Sequence, residues 1–147
     1  MWPFKRKEWE KLGWAWTSSA VEEELRRRLA PEFLHLRDRE YRCIPTADFE
    51  AIIFDCWFPH DEPAYKSEIF DCDDFAVCFM AAIKTRWAKV SRGSQALAFG
   101  YISADVQGMG QHAFIWHLNG RGGITFYEPQ TGKPVPYICD SVTLVES

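Results

Sequence analysis

Between residues 72 and 128 the repeat of apolar side chains drops from about 3.6 to about 2, and this switch restricts the available folds more than any other feature of the chain. Cys72, Phe75, Ala76, Phe79, Met80, Ile83 and Trp87 recur at i, i+3, i+4 and i+7, which predicts a long core helix from Cys72 to about residue 89. The stretch SRGSQ ends it. Alternating runs at 96–104 (ALAFGYISA), 111–118 (QHAFIWHL) and 123–128 (GITFYE) then read as three strands joined by DVQGMG and NGRGG. A turn at PQTGKP leads to a last strand near 138–145. Helices followed by an antiparallel sheet define an α+β fold.

Upstream, SAVEEELRRRLAP reads as a short helix opened by a Ser19/Glu22 capping box and stopped by Pro31. Val21, Leu25 and Leu29 form its apolar stripe, and Glu22–Arg26, Glu23–Arg27 and Glu24–Arg28 stand at i,i+4. A second helix spans about 46–56, with Phe49, Ile52, Ile53 and Cys56 inward. Between it and the core helix, WFPHDEPAYKSEIF breaks periodicity at Pro59 and Pro63 and reads as a long loop, a common place for a site. The expected organisation is one domain over 1–147, with residues 1–40 as a helical, Trp-rich extension and 41–147 as the core.

The net charge of −4 argues against nucleic-acid binding, and no apolar run is long enough to span a membrane. With no leader pattern at the start, the reading is a cytoplasmic chain. Five cysteines without paired spacing suggest reduced, mostly buried thiols. Trp2, Trp9, Trp14 and Trp16 crowd the first sixteen residues; they either pack onto the domain or form a surface for a homodimer or protein partner.

The chemistry centres on FDCDDFA. Amides at a helix N-terminus stabilise a thiolate, so Cys72 is placed to be a nucleophile, while Asp71 and Asp73 oppose ionisation. A cationic imidazole would decide the contest. His112 follows the glycine-rich GMGQ and shares a strand face with Phe114 and Trp116, whereas His117 faces the other way. If the two strands pair so that opposite residue numbers sum to about 240, Glu128 lies across from His112 and can orient its ring.

Cys72-Asp73-Asp74-Phe75-Ala76, Gly110-Gln111-His112-Ala113 and Tyr127-Glu128-Pro129-Gln130-Thr131-Gly132, in that order, resemble papain-like and transglutaminase-like cysteine hydrolases. The wording is most similar to the C-terminal cysteine-protease domain of the Marasmius oreades agglutinin type and its bacterial relatives, over about residues 41–140. The resemblance implies a papain-like fold, a Cys72–His112–Glu128 catalytic triad, acyl chemistry on a peptide or amide substrate, dependence on calcium or manganese, and a dimer. Two features depart from the pattern. No glutamine precedes Gln95, which leaves the Cys72 amide and Tyr65, Lys66 or Ser67 as oxyanion donors, and no lectin repeat is present, so sugar binding does not carry over.

Asp55, His60, Asp61, Glu62, Glu68, Asp71, Asp73 and Asp74 crowd the approach to the cysteine, and hard oxygen ligands suit calcium or manganese. A solvated acidic loop accounts for the same pattern. Cys78 stands too far round the helix to share the position of Cys72, and Asn119 belongs to the HLNGRGG turn. The leading expectation is a cysteine peptidase or amidase. The alternative is a catalytically silent papain-like binding module that engages a protein partner.

Overall fold

A computed structural model describes residues 13–91 and 95–147. In chain order the elements are β1 (Trp14–Thr17), α1 (Ser18–Leu29), β2 (Phe33–His35), β3 (Glu40–Cys43), α2 (Thr46–Cys56), a 3-10 turn (Pro59–Asp61) and α3 (Cys72–Val90). They continue as β4 (Ala96–Leu97), β5 (Phe99–Val106), β6 (Gly110–Leu118), β7 (Ile124–Glu128), β8 (Lys133–Val135) and β9 (Cys139–Glu146). The α+β expectation holds, with helices packed against sheets.

A six-stranded sheet runs β2-β9-β5-β6-β7-β8, and a three-stranded sheet runs β1-β3-β4. Pairing is not antiparallel throughout: β2 lies parallel to β9, and β3 parallel to β4. Residues 1–40, expected to be helical, also supply β1 and β2, strands of 4 and 3 residues that are too short to show periodicity. Trp2 and Trp9 lie outside the described residues, while Trp14 is partly exposed and Trp16 packs on the core. Beyond β7, Pro134 and Pro136 offer no N–H to a further strand, which protects that edge of the sheet.

The sheet divides the interior in two. Phe49, Ile52 and Ile53 of α2 and Phe75, Phe79 and Ile83 of α3 pack with Phe99, Ile115 and Tyr127. Val21 and Leu25 of α1 pack on the other side with Phe114, Trp116, Leu118 and Val145. Alternate residues of β6 thus enter different cores, which explains why nearly the whole strand is buried. No helix among the described residues is long and apolar enough to cross a membrane.

Helix α1 differs in detail from its sequence signature. Thr17 rather than Ser19 is the cap, its Oγ1 accepting the Ala20 N–H at 3.2 Å. Arg26 pairs with Glu22 and Arg28 with Glu24 as spaced, but Arg27 turns to Glu24 instead of Glu23. These exposed pairs add little stability. At α3 Asp71 and Asp74 form a capping box, with Asp74 Oδ2 accepting the Asp71 N–H at 3.1 Å.

Candidate functional site

His112 and Glu128 meet. His112 Nε2 lies 2.6 Å from Glu128 Oε2, and both side chains are buried. The register differs from the expected one: Ile115 stands opposite Tyr127, so His112 and Glu128 are diagonal neighbours rather than directly opposite. The slip is two residues, and an even slip keeps both side chains on the same sheet face.

Tyr137, which sequence reasoning missed, completes this network. Its O–H donates to Glu128 Oε2 at 2.7 Å, and the backbone N–H of Gln130 donates to Oε1 at 3.1 Å. Burial alone would raise the Glu128 carboxyl, but the bonds from His112, Tyr137 and Gln130 outweigh it and hold the group below the ordinary carboxylate value. Burial and the carboxylate together push the Tyr137 phenol up. Tyr137 follows the PQTGKP turn in a segment without periodicity, so only the folded turn brings it back to Glu128.

Cys72 begins α3 as expected, partly buried, with the Ala113 N–H and its own N–H favouring the anion. Burial opposes them more strongly, and Asp71 and Asp73 add to the opposition, so the thiol is raised above its ordinary value. No hydrogen bond joins Cys72 to His112 among the described residues. The His112 ring packs instead against Phe114 and Tyr137. Tyr65, Lys66 and Ser67 are exposed on a short hairpin closed by a Lys66–Phe70 bridge, and among the described residues no hydrogen bond brings them to the sulfur. All five thiols are free, but only Cys43 is fully buried, against the expectation that most would be.

The acidic approach separates into parts. Asp55 pairs with Arg86 at 2.8 Å, and His60 lies 3.3 Å from Asp61. Donor atoms of Asp71, Cys72 and Asp73 do converge, within 4.8 Å of one another. Asp71 Oδ1 is buried without a hydrogen-bond partner, and its side chain, more than burial, drives the Asp73 carboxyl upward. Two close carboxylates, one with an orphaned oxygen, fit a hard cation; the sulfur between them does not.

The family model for the agglutinin C-terminal domain matches residues 41–134. A solved structure described as a PSL1a–E64 complex superimposes with a TM-score of 0.73 and 24% identity, covering 90% of this chain and 51% of its own. A Polyporus squamosus lectin bound to the human-type influenza-binding epitope Neu5Aca2-6Galb1-4GlcNAc superimposes with a TM-score of 0.70 and 26% identity, covering 89% of this chain and 49% of its own. The chain thus spans about half the length of these structures. No curated protein matches it. The expectation of a cysteine peptidase or amidase, with its hydrolase and thiol-protease character, is overturned: the family that matches is an agglutinin domain and a lectin shares the fold. At Cys72 the helix amides and the Ala113 N–H do not outweigh burial and two neighbouring acids, which is why the thiol is raised. With residues 41–134 matched, more than half its length, the chain belongs to the agglutinin C-terminal family.

Proposed function

We propose that this domain is a catalytically silent binding module that engages a protein partner, on a papain-like arrangement in which the helix starting at Cys72 packs on the sheet carrying His112 and Glu128. The observation that carries it is the state of the sulfur: a thiol raised by burial and by Asp71 and Asp73, with no hydrogen bond to His112 among the described residues. The buried His112–Glu128 pair then acts structurally. The Tyr137–Glu128–His112 network ties β6 and β7 to the segment that follows β8, since every bond to the shared carboxylate is charge-assisted. Membership of an agglutinin family supports the same reading.

Calcium or manganese belongs to this proposal, held by Asp71 and Asp73. The unpartnered Asp71 Oδ1 supports it. A bound cation would neutralise the two carboxylates and order the first turn of α3. Thermal melts with and without each cation test it: a rise that persists in Cys72→Ser and vanishes in Asp71→Asn/Asp73→Asn is expected, and no rise with either ion refutes it.

Alkylation tests the silent site. With iodoacetamide at pH 6, Cys72 should react as slowly as the other thiols. Fast, selective modification of Cys72 that disappears in His112→Ala would overturn the proposal, as would time-dependent cleavage of a peptide library by the parent but not by Cys72→Ser.

A further inference from the structure

An open groove of about 850 Å³ lies between the C-terminal half of α2 and the turn that joins β7 to β8. We infer that this groove is a docking site for a linear peptide of a partner protein, one that presents an aromatic or aliphatic side chain beside a lysine or arginine. This specifies the partner of the binding module proposed above, but places it on a different surface from Cys72 and His112.

Phe54 and Phe58 line the groove and are 86% and 46% exposed. Two phenylalanines left in water along one concave surface are a feature of interaction sites rather than of folding. The opposite wall is fixed in place. Trp57 Nε1–H donates to Pro129 O at 2.8 Å, and at Gly132, whose φ is +70°, a Cβ would stand 3.2 Å from the Trp57 ring. The turn therefore lies close against the helix, and the groove is preformed.

The charge comes from the helix itself. The last turn of α2 holds no basic residue, so the negative end of its dipole faces the groove without an intrahelical counter-charge. Glu50 on the same rim is exposed and accepts only the neutral Tyr127 O–H among the described residues, at 3.2 Å. Asp55 is partly compensated by Arg86. Lys133 is the cation on the facing wall. An apolar floor with a negative helix end selects a side chain such as Phe or Leu flanked by a cation, and disfavours an acidic peptide.

The test uses the full chain and three synthetic peptides, acetyl-Lys-Phe-Arg-amide, acetyl-Glu-Phe-Glu-amide and acetyl-Lys-Ala-Arg-amide, followed by amide chemical shifts on titration. The basic Phe peptide should shift residues around Phe54, Phe58 and Lys133 saturably. Phe54→Ala should weaken it at least tenfold and Glu50→Gln several-fold, while Cys72→Ser changes nothing. Because Phe54 is exposed, an unchanged melting temperature shows that its variant is folded. Equal binding of the acidic peptide, or unchanged binding by Phe54→Ala, overturns the inference. Saturable shifts around Cys72 and His112 instead sink the groove but leave the binding-module reading standing; no saturable shift anywhere counts against both. A shift at Phe54 caused by N-acetyllactosamine rather than peptide, or a Phe54-dependent dimer in sedimentation, reassigns the groove to a glycan or a second copy and overturns the peptide inference.

Discussion

His117 should make this protein acid-sensitive in a way that one substitution can remove. The ring is 1% exposed, lies flat on Phe49 at 4.1 Å between centroids, and neither nitrogen has a hydrogen-bond partner among the described residues. Its cross-strand neighbours are Phe99 and Thr125, neither of which carries a negative charge. Burial lowers its pKa from 6.5 to about 3. Between those values the unfolded chain takes up a proton that the folded chain refuses, so stability is intact above about pH 6.5 and falls as the pH drops toward 3. Each pH unit costs about 1.4 kcal/mol, or about 2 kcal/mol by pH 5. His117→Leu replaces the ring with an apolar side chain of similar volume and should cost less than about 1.5 kcal/mol at pH 7.5. Urea unfolding of both proteins at half-unit steps from pH 7.5 to 4.5 isolates the effect, because the titration of Glu128 and the other carboxylates is common to the two and cancels. The variant should gain on the parent by about 2 kcal/mol between pH 7 and pH 5. A difference that stays constant over that range refutes the reasoning.

Other substitutions probe the network and the packing. Tyr137→Phe removes one of the bonds that hold the Glu128 carboxyl low, and should cost about 1 to 3 kcal/mol in urea unfolding at neutral pH. The loss should shrink as the pH falls through the lowered Glu128 value, since a protonated carboxyl no longer draws on the bond. Gly100→Ala would set a Cβ 1.9 Å from the Glu146 carbonyl oxygen across the β5–β9 pair, backbone against backbone, so a loss of about 3 kcal/mol is expected from the urea midpoint. Trp57→Phe removes the donor that ties α2 to Pro129, and hydrogen exchange at Thr131 and Gly132 should speed up while the exchange of β5 and β6 amides stays slow.

Much of the fold is written in local patterns. The helical repeat from Cys72 to Trp87, the alternation through β5, β6 and β7, the Asp71/Asp74 capping box and the Asn119 turn, whose Oδ1 accepts the Arg121 and Gly123 N–H groups, are each set by residues within a few positions of one another. The meeting of His112 with Glu128 was also legible, because strand parity places them on one face and survives an even slip in register. Strands of two to four residues were not legible, nor was their parallel pairing, because so few residues show no period and a partner distant in sequence selects them. Tyr137 needed the closed turn, and His117 needed the second core before either could be seen as a buried group with its own electrostatics.

The sequence by itself determined that a cysteine begins the core helix, that acids flank it, and that a histidine and a glutamate share a strand face. Whether that sulfur ionises was decided only by tertiary structure, because desolvation and the orientation of a neighbouring ring depend on what the rest of the chain packs around them. Amide dipoles are a local property of a helix end, whereas burial and an imidazole bond must be assembled from across the chain; here the chain supplies the burial without the bond, and the thiol is raised above its ordinary value.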